Sequence, residues 1–231
     1  MSLSGKTVLI TGASRGFGLA IAKAMLRAGA TVIGWGRDPA ALEAAKAELE
    51  AIGGDFTFDT VDVTDEPVVV ERMAALPGLD VLVNNAGIAR SSPFLETPTQ
   101  ELRDTLEVNL IGAFVVLREG ARRMIDLGNG GAVINIASDA AVMGIATMGP
   151  YCASKHGLLG LGRSAQLALH EHGVRVSNFC PGPIATNIMH PDGSENPGAM
   201  DADDLALSVV HLAAMSPRLE IQELLVRPFA T

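Results

Sequence analysis

Tyr151 and Lys155 stand four residues apart in the segment Tyr151-Cys152-Ala153-Ser154-Lys155. On a helix that spacing sets both side chains on one face. A free phenol has a pKa of about 10. A neighbouring ammonium favours the phenolate and so predicts a lowered value. Such a pair suits delivery of a proton to a carbonyl oxygen as hydride reaches its carbon, or removal of that proton in the reverse direction. Tyr151 is the candidate acid for reduction and base for oxidation, with Lys155 tuning it. It is the only tyrosine in the chain. The same spacing also serves ordinary amphipathic packing, so the pair needs support from elsewhere.

That support begins at Thr11-Gly12-Ala13-Ser14-Arg15-Gly16-Phe17-Gly18, which follows the first strand-like run and opens a helical stretch. Glycine there permits a tight turn and lets backbone N–H groups approach a pyrophosphate. The helix N-terminus favours the negative charge. A glycine turn in this position, with an alternating strand and helix pattern behind it, is the setting of a dinucleotide site.

The spacing is Thr-Gly-x-x-x-Gly-x-Gly, not Gly-x-Gly-x-x-Gly. Further segments follow in order: Asp62-Val63, Asn84-Asn85-Ala86-Gly87, Asn109 within Val-Asn-Leu-Ile-Gly, Ser138, the Tyr151 segment, and Pro181-Gly182-Pro183-Ile184-Ala185-Thr186. Together they resemble the classical short-chain dehydrogenase/reductase family over nearly the whole chain. The resemblance implies a catalytic tetrad of Asn109, Ser138, Tyr151 and Lys155. Ser138 would donate a hydrogen bond to the carbonyl oxygen, and Asn109 would kink its helix and hold a water near the lysine. Lys155 would also hold the nicotinamide ribose.

The resemblance further implies cofactor contacts from Gly12, Ser14, Arg15, Gly16, Phe17 and Gly18, and from Asp62 and Val63, with Asp62 on the adenine amino group. Asn84, Ala86 and Gly87 would lie beside the adenosine half. Pro181, Gly182, Ile184 and Thr186 would lie near the nicotinamide carboxamide. Plainer readings exist: Asp62 as a helix cap, 84–87 as a strand-end turn, 181–183 as a strand stop.

Dinucleotide sites that prefer NAD carry an acidic residue at the end of the second strand. Here that segment reads Gly34-Trp35-Gly36-Arg37. Glycine at 36 removes a carboxylate that would repel a 2′-phosphate, and Arg37 adds a charge-assisted donor fork. Arg15 could reach the same phosphate. NADP(H) is therefore the expected cofactor, with NAD(H) as the alternative if Asp38 replaces the missing carboxylate.

These residues need a scaffold, and the pattern supplies one. Strand-like runs at 7–11, 31–34, 55–61, 81–84, 132–136, 174–179 and 223–226 alternate with helical spacing at 20–28, 39–51, 100–127 and 153–172. Apolar strands alternating with helices predict an α/β chain: one doubly wound Rossmann domain over 1–231, with a parallel seven-stranded sheet and helices on both faces. The segment 186–200, rich in Pro, Gly, Asn and Asp, reads as a substrate loop. It contains Met189 and His190, which with Met143 and Met148 are candidate pocket residues.

Composition narrows the rest. Lys and Arg number 17 against 26 for Asp and Glu, a net charge of −9, which argues against nucleic acid and against anionic membranes as partners. No run approaches the roughly 18 apolar residues of a membrane span. Cys152 and Cys180 form neither a disulfide framework nor a metal set, so a reduced, cytoplasmic setting and no metal are expected. The expected activity is interconversion of a ketone or aldehyde with an alcohol, acting on a small molecule. A 3-oxoacyl-thioester reductase is the alternative within the class, needing a basic patch from Arg90, Arg103, Arg122 and Arg123. A non-catalytic dinucleotide-sensing regulator is the alternative outside it. Gly157, Gly160 and Gly162 would admit a partner helix, giving a homodimer or homotetramer, unless they pack within the subunit.

Overall fold

The computed structural model describes residues 1–186 and 198–229. The elements are β1 (Thr7–Thr11), α1 (Gly16–Arg27), β2 (Thr31–Gly36), α2 (Pro39–Glu50), β3 (Phe56–Thr60), α3 (Glu66–Ala74), β4 (Val81–Asn84), α4 (Thr99–Leu106), a π-helical stretch (Glu107–Gly112), α5 (Ala113–Asp126), β5 (Gly131–Ile136), α6 (Gly149–Leu169), β6 (Val174–Pro181), α7 (Ala202–Ala213) and β7 (Glu223–Val226). All strands run parallel in the order β3-β2-β1-β4-β5-β6-β7. The winding reverses between β1 and β4, so a crevice opens beyond their carboxyl ends.

Burial follows position in the sheet. β4 is buried throughout, whereas the edge strands β3 and β7 keep partly exposed residues. Alternate residues of β1 face opposite layers. Val8 and Ile10 pack with α1 and α7, and Leu9 packs with α3 and α5. Among the described residues no helix is long and apolar enough to cross a membrane.

The helices α3 and α7 were not singled out by apolar spacing. The nine residues of α3 bury only Val69 and Met73. Their N-caps were the available signal: Asp65 accepts from Val68 N, and Asp201 accepts from Asp203 N and Asp204 N. α6 starts four residues before the expected 153, which puts Tyr151 inside its first turn. The stretch expected as one helix over 100–127 contains a π turn.

Three asparagines on neighbouring central strands form a buried ladder. Asn84 pairs in register with Asn135, and Asn135 with Asn178. Asn84 Nδ2 donates to Asn135 Oδ1 at 3.2 Å, and Asn135 Nδ2 donates to Asn178 Oδ1 at 3.2 Å. α6 lies over the end of this ladder. A Cβ at Gly162 would sit 2.0 Å from Asn178 Oδ1, and one at Gly157 would sit 2.9 Å from Leu110 Cδ2, while Gly160 has nothing within 4 Å. Two of the three glycines thus serve packing within the subunit, not a partner helix. Gly162→Ala is expected to cost about 1–3 kcal/mol, because the locked ladder cannot yield. Gly160→Ala should be neutral or stabilising by up to ~1 kcal/mol. Urea midpoints of the two variants measure the difference.

Candidate active site

The turn after β1 is built by glycine geometry. Gly12 and Gly16 have φ of +66 and +55, the left-handed region. A Cβ on Gly18 would lie 2.1 Å from the Gly12 carbonyl oxygen, so the first turn of α1 presses against the loop. Thr11 Oγ1 accepts from Asn85 N and Ala86 N, and Asn85 Nδ2 donates to Thr11 O at 2.9 Å. These bonds tie the ends of β1 and β4 together.

The turn fits a pyrophosphate. α2, α3 and α7 are capped by aspartates, whereas α1 has no side-chain cap and no acidic residue in its first turn. Its leading N–H groups therefore carry no side-chain acceptor, the state in which a helix start receives an anion. Thr186 closes over the same turn, since a Cβ on Gly16 would lie 3.4 Å from Thr186 Cβ. Its segment is held by an Ile184–Met200 bridge and by Ala185 N donating to Met200 O. The expected substrate loop otherwise falls outside the described residues, including Met189 and His190.

Of the two arginines expected at a 2′-phosphate, Arg15 stands at the start of α1 and Arg37 follows β2. Arg15 and Arg37 are exposed, and among the described residues neither forms an ion pair. Asp38 is occupied as the cap of α2, where its Oδ1 accepts from Ala40 N and Ala41 N. Gly36 is packed as well as uncharged, because a Cβ there would meet Leu42 at 3.0 Å. Asp62 Oδ1 accepts from both Thr64 N and Thr64 Oγ1. It therefore shapes the turn after β3, and Asp65 is the helix cap. Val63 is buried where the π turn crosses it. Asn84 spends its Nδ2 inside the sheet, donating to Ala113 O and Asn135 Oδ1.

The four residues of the expected tetrad come together around the start of α6. Asn109 lies in the π turn. Its Oδ1 accepts from Ile88 N, and its Nδ2 donates to Ile88 O at 2.8 Å and Ser154 Oγ at 3.1 Å. Ser154 Oγ in turn donates to Tyr151 O. Asn109 thus fastens the loop after β4 to α6. Ser138, after β5, accepts from Ala140 N and donates to Asp139 Oδ1 at 3.3 Å. Lys155 Nζ donates to Ile136 O at 2.7 Å and lies 5.6 Å from the centre of the Tyr151 ring.

Here the electrostatics differ from the expectation. Tyr151 keeps a little surface in solvent, yet its phenol is enclosed, and burial pushes it up to about 12. The Ser138 hydroxyl opposes that rise, while the charge of Asp139 adds to it. Burial also pushes Lys155 down to about 8. The ammonium does not hold the phenol below its ordinary value: Nζ is directed to the Ile136 carbonyl, and burial of the phenol dominates. The phenol is therefore protonated at neutral pH, the state required of an acid.

Other candidates stand apart. His156 is exposed, with Nδ1 2.9 Å from Cys152 O. His170 and His172 lie in the turn after α6. Cys152 and Cys180 are free and buried.

The sequence model of the short chain dehydrogenase family matches residues 6–197. The chain belongs to the short-chain dehydrogenase family. It is 38% identical over 203 residues to an L-rhamnose 1-dehydrogenase (NAD(P)(+)) of Azotobacter vinelandii, covering 84% of this chain and 79% of that one. Among solved structures it resembles a provisionally assigned NAD(P)-dependent gluconate 5-dehydrogenase of Beutenbergia cavernae with NADP bound at low occupancy. The TM-score is 0.90 and the identity 32%, over 98% of this chain and 97% of the other. It also resembles a short chain dehydrogenase of Mycobacterium paratuberculosis bound to NAD, with a TM-score of 0.89 and 28% identity over 99% and 98% of the two chains. As a member of this family the protein is an NAD(P)-dependent oxidoreductase of CH–OH groups. Three supporting residues of this short-chain dehydrogenase were not picked out from sequence: Thr11, Asn85 and Ser154. Each acts through hydrogen bonds to segments distant along the chain. The Thr-Gly and Asn-Asn pairs were the visible signal for the first two.

Proposed function

We propose that the protein interconverts a secondary alcohol and a ketone, or an aldehyde and an alcohol, with NADP(H), using Tyr151 as acid and base. The convergence of Ser138, Tyr151 and Lys155 at the start of α6 carries the reading. The cofactor supplies the hydride and, when oxidised, a positive charge beside the phenol. Gly12, Ser14, Gly16, Phe17 and Gly18 would receive its phosphates, Asp62, Val63, Ala86 and Gly87 its adenosine side, and Pro181, Gly182, Ile184 and Thr186 its carboxamide end. Ser138 positions the substrate oxygen against the phenol, and Lys155 holds the ribose. Asn109 commits its amide to Ile88 and Ser154, and so positions α6 against the loop after β4.

Arg15 and Arg37, without an ion-pair partner among the described residues, and Asp38, spent as a cap, support NADP(H) over NAD(H). NADP⁺ is expected to bind at least ~10-fold more tightly than NAD⁺, with Arg37→Ala weakening NADP⁺ alone by about 10–100-fold, the range of a charge-assisted hydrogen bond. Fluorescence titration of both cofactors measures this, and equal affinities would sink the preference. Turnover of NADPH and NADH over a carbonyl and alcohol panel tests the activity. Carbohydrate-derived alcohols head that panel because several relatives are named for them.

The thioester-reductase alternative needs its four arginines to act together at the mouth of the site. Arg90 pairs with Asp104 beside Arg103 on α4, while Arg122 and Arg123 lie on α5, where Arg122 pairs with Glu119 and Arg123 donates to Leu76 O. For a homodimer, an apolar groove of ≈ 380 Å³ between α5 and α6, lined by Phe114, Leu117, Leu161 and Ala165, is the face we assign to the second subunit. A sedimentation measurement showing only monomer would remove it.

A further inference from the structure

Beside the proton-transfer centre lies a charged pair that the reaction as described does not use. Arg227, just past β7, places Nε 3.5 Å from Asp139 Oδ2, and its Nη2 donates to Met143 Sδ at 2.8 Å. The segment cannot swing freely. Arg227 Cγ and Pro228 Cδ both lie 3.4 Å from where a Cβ would stand on Gly182, and Gly182 N donates to Val226 O. Asp139 is only 15% exposed, against 47% for Arg227. Its other oxygen, Oδ1, takes the proton of Ser138 at 3.3 Å, a long and weak hydrogen bond.

That arrangement sets up a competition. A serine hydroxyl has one proton. Ser138 can give it to Asp139 or to a substrate oxygen, not to both. An unpaired carboxylate in a half-buried site would hold the proton strongly, because hydrogen bonds to ionised acceptors are short and strong. A guanidinium on the far oxygen draws the carboxylate off.

We propose that Asp139 and Arg227 are a pair of positioning residues for Ser138 and Tyr151: Arg227 restrains Asp139, so that the Ser138 proton stays available to the substrate and the negative charge beside the phenol is balanced. This rests on the reading of Tyr151 as the acid and base. The charge of Asp139 does reach the phenol, and it acts to raise it. The other titratable groups near the phenol are Cys152 on its own helix, which also raises it, and Lys155 one turn further on, faced by Cys180 of β6. Arg227 reaches the phenol only through Asp139.

The experiment is a pH profile of kcat for alcohol oxidation, run on Arg227→Gln, Asp139→Asn and the double variant, with NADP⁺ affinity and Tm beside it. Oxidation speeds up as the phenol loses its proton. Arg227→Gln should move the rising limb to higher pH by ~0.5 unit or more and lower kcat at neutral pH by about 3–10-fold, as expected for one charge interaction at an effective dielectric near 20. Asp139→Asn should move the limb the other way. In the Asp139→Asn background, Arg227→Gln should move it no further. A superimposable Arg227→Gln profile, or an equal shift with and without Asp139, overturns the proposal. So does a change confined to Tm. The tyrosinate absorbance of the single tyrosine, followed in the same variants, reads the coupling without turnover. Failure of the pair is thus distinct from failure of Tyr151 as the acid, which the turnover of Tyr151→Phe decides.

Discussion

Tyr151→Phe is expected to lower kcat by about 10³-fold, within the 10²–10⁴ contributed by a positioned acid or base. NADP⁺ affinity and Tm should stay near wild type. Phenylalanine keeps the ring that packs with Ala140, Met148 and Cys152 and removes only the hydroxyl. Steady-state turnover with an isothermal cofactor titration checks both halves. Turnover within a few-fold of wild type would remove Tyr151 from the mechanism. The phenol also gives a direct readout. Because the chain holds a single tyrosine, all tyrosinate absorbance belongs to residue 151. With the phenol pushed up to about 12 by burial, little of that absorbance should develop at pH 10, where an ordinary phenol is half ionised. NADP⁺ should move the transition down, since the bound positive charge favours phenolate. Half-ionisation at pH 10 or below in the protein alone would contradict the enclosure of the phenol.

Lys155→Met is expected to lower kcat by about 10²-fold or more, and also to change how stability depends on pH. Burial holds Lys155 down to about 8, while in the unfolded chain it titrates near 10.5. Between those values the unfolded state binds more protons than the folded state, so stability rises with pH. The rise is on the order of 2–3 kcal/mol across that window, and it is absent below pH 8, where the ammonium is charged in both states. Tyr151 acts in the opposite sense, but only above pH 10, where the unfolded phenol ionises and the folded one does not. The Cys180 thiol, which burial pushes up, opposes the lysine within the pH 8–10 window, but Lys155→Met keeps that thiol, so the difference between the two proteins isolates the lysine. Wild type should gain stability there relative to Lys155→Met, as read from urea unfolding at both pH values. Parallel stability curves for the two proteins would show that the ammonium is not desolvated.

Much of the scaffold was legible along the chain. The bounds of β1, β4 and β7 follow from short apolar runs between polar turns. The glycine turn was legible because positive φ and close approach admit little else. The pairing of Tyr151 with Lys155 needed only helical spacing. Helix starts were less legible: α6 begins with Gly149-Pro150, outside the apolar period, and α3 buries too few residues to show one. The kink at Asn109 was implied by the family motif around it, not by apolar period, and the structure makes it a π turn. It is sustained by bonds to Ile88 and Ser154, 21 and 45 residues away.

What the sequence determined by itself is the set of chemical groups and their order: a phosphate turn, a phenol and an ammonium one helical turn apart, a serine after β5, and an arginine where an acid would select NAD. These depend on neighbours a few residues apart. Tertiary structure alone decided the partners of those groups. It spent Asn84 inside the sheet and Asp38 on a helix end, turned Gly157 and Gly162 inward, and brought Arg227 to Asp139. It also reversed the direction of the Tyr151 pKa. Charge attraction can be guessed from spacing, but desolvation is set by everything packed around a group, and those atoms come from strands and loops scattered along the whole chain.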